Sequence, residues 1–126
     1  MSIQIVDNLK EVCQTPGSND YSCLSVISNK YGVYIFRSKS DGKVLYIGEA
    51  QKQDLKTRVK QNFTKSDTGG TFRKNYMEIE NVEFEKFINF IKDCHIICIT
   101  SEKLMTIRTL ESLLIFTLKP KYNKEV

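Results

Sequence analysis

The sequence has no tryptophan, a single histidine (His95) and only two prolines among its 126 residues. One histidine excludes any chemistry that needs two imidazoles, whether as an acid–base pair or as paired metal ligands. Long hydrophobic runs are also missing: stretches such as Leu113-Leu114-Ile115-Phe116 fall far short of the roughly 18 residues of a membrane span. The first residues carry neither a basic n-region nor an apolar core of a signal peptide. These absences lead us to expect an intracellular protein, cytoplasmic or nucleoid-associated, with no membrane partner. The four cysteines (Cys13, Cys23, Cys94 and Cys98) form no CxxC pair, so reduced thiols are expected. Cys94-His95-x-x-Cys98 has a zinc-like look, but on a strand positions four apart share a face without closing a tetrahedral site, and we read them as buried strand residues.

What is present begins with charge. The net charge is +4, and residues 37–74 hold ten Lys/Arg against four Asp/Glu, so the middle of the chain carries more than the whole excess. Such a basic segment suits a polyanion held through phosphate contacts. The length suits one domain, read as an N-terminal extension over residues 1–30 packed on a core over residues 31–126. Residues 3–12 have the spacing of a short amphipathic helix, followed by a turn at Pro16-Gly17-Ser18-Asn19-Asp20. Residues 31–36 and 44–47 are β-branched and aromatic and flank Asp41-Gly42, a hairpin signature. Leu55, Val59 and Phe63 recur every four residues, as in a helix; Thr71 is positioned to cap another, and Phe84, Phe87, Ile88 and Ile91 mark a third. Residues 95–99 read as a strand, and residues 102–118 as a last helix opened by Ser101 and stopped by Pro120. The expected fold is α+β, a small three-stranded antiparallel sheet flanked by helices.

Hairpin register decides whether two tyrosines can act together. A two-residue loop would put Tyr34 and Tyr46 on opposite faces. A three-residue loop, Ser40-Asp41-Gly42, with Gly42 left-handed in a bulge, puts them on one face, with Phe36 opposite Tyr46 and Tyr34 opposite Gly48. The second register is the one adopted here, with Gly48 leaving space where a phosphate approaches the Tyr34 hydroxyl. On the last helix Leu104, Ile107, Leu114, Ile115 and Leu118 form an apolar stripe with Glu111 in its middle, a placement that demands a cationic partner: Arg108 three residues earlier, or a divalent metal. Arg58, flanked by Lys56 and Lys60, has the planar fork that grips phosphate oxygens. Arg73 and Lys74, after Gly69-Gly70, read as phosphate-backbone contacts at a helix start.

Gly32-Val33-Tyr34 and Tyr46-Ile47-Gly48, joined by that loop, resemble the two-part signature of the GIY-YIG nuclease superfamily, and the likeness extends over roughly residues 31–123. The resemblance implies one active site built from Tyr34, Tyr46, Arg58, Glu111 and Asn123. Glu111 would hold Mg²⁺ or Mn²⁺, Tyr34 would take the proton of an attacking water, Tyr46 would position water or phosphate, and Arg58 would stabilise developing charge. Asn123 would tie the end of the last helix to the site. It further implies an endonuclease that hydrolyses DNA to a 5′-phosphate and a 3′-hydroxyl, needs no small-molecule cofactor, and forms at most a transient homodimer on its substrate. A non-catalytic nucleic-acid-binding module of the same fold, or a nuclease acting on RNA, are the alternatives. Two departures stand out: Val33 replaces isoleucine, and Asn62 stands where many relatives carry a histidine, offering phosphate a hydrogen-bond donor but no base.

Overall fold

The computed structural model describes residues 1–13 and 22–124. The turn expected at Pro16-Gly17-Ser18-Asn19-Asp20 lies outside the described residues. Four strands form one antiparallel sheet: β1 (Ser2–Val6), β2 (Gly32–Ser38), β3 (Val44–Ala50) and β4 (Cys94–Thr100), in the spatial order β1-β4-β2-β3. The sheet thus has one strand more than the sequence suggested. Ser2-Ile3-Gln4-Ile5-Val6 alternates with period two and pairs with β4, Ile3 opposite Ile99 and Ile5 opposite Ile97, where a helix was expected. Only Lys10–Cys13 of that segment is helical (α1), and a 3₁₀ helix over Ser22–Ile27 leads into β2.

The hairpin has the expected register by a different route. Tyr34 pairs with Gly48 and Phe36 with Tyr46, but Arg37 then pairs with Val44. The extra residue is therefore Leu45, and the four-residue loop closes where the Ser38 N–H donates to Lys43 C=O at 2.9 Å. Gly42 has the left-handed φ of 73° that the turn needs.

Helices α2 (Leu55–Lys60), α3 (Thr71–Glu80) and α4 (Phe84–Ile91) cover one face of the sheet, and α5 (Leu104–Leu118) lies over β2 and β3 on the other. Asp54 caps α2, its carboxylate accepting from the Thr57 N–H at 2.9 Å. Gly70, not Thr71, occupies the cap of α3, which ends at left-handed Asn81. The larger core joins Tyr34, Phe36, Tyr46, Phe72, Phe84, Phe87 and Ile91. The smaller one, beneath α5, has only Val33, Ile35, Ile47 and Ile107 fully inside. Of the expected stripe on α5, Ile107 is buried and Leu114 and Ile115 are half-buried, whereas Leu104 and Leu118 are exposed. Cys94 and Cys98 point into the large core, their thiols pushed up to about 12 by burial. His95 points away from them and its Nε2 accepts from Arg37 Nε at 2.9 Å, so the zinc-like spacing joins nothing. None of the described helices is long and apolar enough to cross a membrane.

Candidate active site

Strand β3 lies at the edge of the sheet, and the site is assembled around it. Tyr34 and Tyr46 share the large-core face, ring centroids 6.2 Å apart, and Tyr46 stacks on Phe72 at 5.1 Å. Gly48, across from Tyr34, is not open space. A Cβ there would lie 2.3 Å from Tyr34 Cζ and 2.4 Å from its hydroxyl, so the glycine lets the Tyr34 phenol lie against the edge strand. Glu111, on α5 over the other face, is close enough to raise the pKa of both tyrosines through its charge.

Arg58, half-buried on α2, is near enough to the Tyr34 hydroxyl to act on its pKa, and donates to Gln61 Oε1 at 2.8 Å. The Tyr46 phenol pKa is raised by burial and by Glu111, with Arg58, Thr71 and Tyr34 acting in the opposite sense. The Tyr34 pKa is raised well above that of a free phenol, burial being the main cause and Tyr46 the next, while Arg58 acts in the opposite sense. The resting group is therefore a neutral phenol with a cation beside it.

Glu111 is half-buried and its pKa is pushed up to about 7, first by desolvation and then by the neighbouring Glu49 carboxylate, with Arg58 partly offsetting both. Arg108 makes no ion pair with it: the two salt bridges among the described residues are Lys121–Glu80 and Lys124–Glu78. Glu49 was not foreseen, although its signal was available, because alternation along β3 puts it on the same face as Ile47, under α5. Gln51 donates from Nε2 to Glu49 Oε1. No group of three or more His, Cys, Asp or Glu side chains is gathered for a metal among the described residues. Two carboxylates without an ion-paired lysine or arginine fit a hard divalent cation that draws its remaining ligands from water and a phosphate oxygen.

Asn123 reaches the site by way of the backbone. Its Oδ1 accepts from the Ile47 N–H at 2.9 Å and its Nδ2 donates to the Ile47 C=O at 2.8 Å, so one amide closes the open side of β3 between Tyr46 and Gly48. Next to it the Tyr122 N–H donates to the Leu45 C=O at 3.0 Å.

The other expected contacts divide. Lys56 and Lys60 are partly exposed on α2, and Lys74 is exposed with its ammonium on the Thr68 C=O at 3.0 Å. Asn62 and Arg73 are inside the protein. Asn62 is fully buried, accepting from the Arg73 N–H at 3.1 Å. The Arg73 guanidinium donates to the Gln61, Thr64 and Asp67 carbonyls and so folds residues 61–70 around itself. Both were expected at the phosphate; their hydrogen-bonding groups are instead committed to this loop.

Four antiparallel strands with helices on both faces make a compact α+β domain. The chain belongs to the UvrC-like GIY-YIG domain family, whose description matches residues 30–124. No curated protein matches the chain.

Proposed function

We propose that the protein is a divalent-metal-dependent endonuclease that hydrolyses phosphodiester bonds in DNA, leaving a 5′-phosphate and a 3′-hydroxyl. What supports this reading is that Tyr34 lies against Gly48 beside Tyr46, with Arg58 and Glu111 near enough for their charges to act on both phenols. A binding module has no use for a desolvated carboxylate beside a buried phenol.

Glu111, with Glu49 beside it, would hold Mg²⁺ or Mn²⁺. When bound, such an ion supplies charge neutralisation at a phosphate oxygen and a positive field that favours a phenolate nearby. Arg58 contributes the same bias from the protein, and its planar fork is suited to the charge that builds on the phosphoryl oxygens during attack. Tyr34, as phenolate, takes the proton of the attacking water. Tyr46, fixed by stacking on Phe72, orients water or phosphate. Asn123 holds the strand segment that presents Tyr46 and Gly48. Lys56, Lys60 and Lys74 contact flanking phosphates. Cutting of both strands then requires two copies meeting on the substrate, or successive nicks.

The test is conversion of supercoiled plasmid to nicked or linear forms with Mg²⁺ or Mn²⁺, comparing native protein with Glu111→Ala and Tyr34→Phe, and with an RNA substrate alongside. Metal-dependent cutting of the plasmid that disappears in both variants is the expected result. Cutting of RNA alone would reassign the substrate, and binding without cleavage of either would make the domain a non-catalytic module.

A further inference from the structure

A groove of about 1040 Å³ lies where β2 and α5 begin and β3 and β4 end, and the proposed chemistry makes no use of it. One wall is Asn29-Lys30-Tyr31 and the other Ser101-Glu102-Lys103, with Gln51 at one side. The volume is at the upper end of ordinary small-ligand sites, and the groove is open. Lys30 and Lys103 both line it, Tyr31 is 39% exposed, and Glu102 is the one acid among the lining residues.

Both walls are built before any ligand arrives. The Ser101 N–H donates to the Tyr31 C=O at 2.9 Å, joining one to the other. The Asn29 N–H donates to Asp54 Oδ2 at 2.7 Å, and Asp54 also caps α2, so the groove is fixed to the helix that carries Arg58. Gln51 connects it to the centre from the other direction, through its contact with Glu49 beside Glu111.

We infer that this groove takes the unpaired stretch of a nucleic-acid strand next to the scissile phosphate, one base stacking on Tyr31 while Lys30 and Lys103 hold the phosphates on either side. Stacking on an exposed aromatic needs a base free of its duplex partner, so the substrate class is a duplex carrying a tail, flap or opened segment, rather than a fully paired helix. The inference rests on the nuclease reading for what happens beyond the groove, but not for binding itself.

The experiment measures binding by fluorescence anisotropy in EDTA, where no cutting occurs, using labelled blunt DNA duplex, the same duplex with a single-stranded tail, and the tail alone. The native protein is expected to bind the tailed duplex about tenfold more tightly than the blunt one, a gain lost in Tyr31→Ala and kept in Tyr31→Phe. The double variant Lys30→Ala/Lys103→Ala is expected to lower the salt slope for the single strand by about 0.7 per lysine. Equal binding of blunt and tailed duplex by native protein, or no change in either set of variants, overturns the inference whether or not the protein cuts plasmid. Loss of the tail preference in Tyr31→Ala upholds it even if neither plasmid nor the tailed duplex is cut with Mg²⁺ or Mn²⁺, in which case only the nuclease reading fails. All three positions lie on the groove surface, and unchanged thermal melting of the variants separates lost contacts from lost fold.

Discussion

Gly48 and Tyr34 form a contact in which one side chain exists because the other does not. Gly48→Ala would place a methyl at 2.3–2.4 Å from the end of the phenol, and Tyr34, buried on all sides, has no free volume to move into. We expect a loss of about 1–3 kcal/mol in chemical denaturation, typical of overpacking, and roughly a hundredfold loss of cleavage from the displaced hydroxyl. Glu111 allows a prediction in pH. Its carboxyl titrates at about 7 in the folded chain against 4.5 unfolded, so between these values the native state binds more protons and stability falls as pH rises. His95, whose pKa is lowered by burial and by Arg37, pushes the other way below 6.5. The Glu111 share is therefore read as a difference: metal-free Glu111→Gln should melt above the native protein at pH 8 and level with it below pH 4.5, and Glu49→Gln should recover part of that gain. Coincident native and Glu111→Gln melting profiles across this range would mean that the carboxylate pays no desolvation cost. The partial burial of Glu111 was legible in the sequence because a charge between Ile107 and Ile115 stands out. Asn62 and Arg73 misled because their partners are backbone groups, the Arg73 N–H and Val59 C=O for Asn62 and three loop carbonyls for Arg73, and no residue pattern distinguishes an arginine that folds around carbonyls from one that waits for phosphate.

At the level of elements, the edge strand β3 is the part most in need of support. One side pairs with β2, while the groups of Ile47 on the other would face solvent without Asn123. Asn123→Ala removes both hydrogen bonds and is expected to cost about 1–3 kcal/mol and to accelerate exchange of the Ile47 amide. Asn123→Asp keeps an acceptor for the Ile47 N–H but no donor for its C=O, and should fall between the two. If Asn123→Ala exchanges like the native protein at Ile47, the tail is not what closes the strand. The register that brings Tyr34 and Tyr46 onto one face could be read in advance only from the offset that Ser40-Asp41-Gly42 imposes, because both faces of β2 and β3 are buried and offer no polar–apolar alternation to choose by. The bulge that achieves it could not: Leu45 is distinguished only by its carbonyl being taken by Tyr122, far along the chain. For the same reason β1 was hidden. Its alternation was visible, but an edge strand with Ile3 and Ile5 exposed is defined by its partner β4 rather than by burial.

Across the whole molecule the two faces of the sheet are unequal, and the inequality falls on the helix that carries Glu111. The face under α2, α3 and α4 joins more than twenty buried side chains, whereas α5 contributes only Ile107 to full burial and exposes Met105, Leu113 and Phe116. Its far end is fastened by left-handed Lys119, buried Pro120 and the Tyr122–Asn123 clamp on β3. A helix with so thin a core belongs to the low-stability end of local unfolding. We therefore expect native-state hydrogen exchange to show α5 amides opening at a lower free energy than those of β2. Ile107→Ala should lower α5 protection by about 2–4 kcal/mol while changing β2 protection less. A ligand that engages Glu111 only when α5 is docked must stabilise that docking by mass action, so Mn²⁺ with a short DNA at a hundredfold excess over Kd should raise α5 protection by about 2.7 kcal/mol. The site would then be completed by its own substrate. Equal protection of α5 and β2, unaltered by metal and DNA, would instead mean that α5 leaves only when the whole domain unfolds, and that Glu111 is held in place before any ligand arrives.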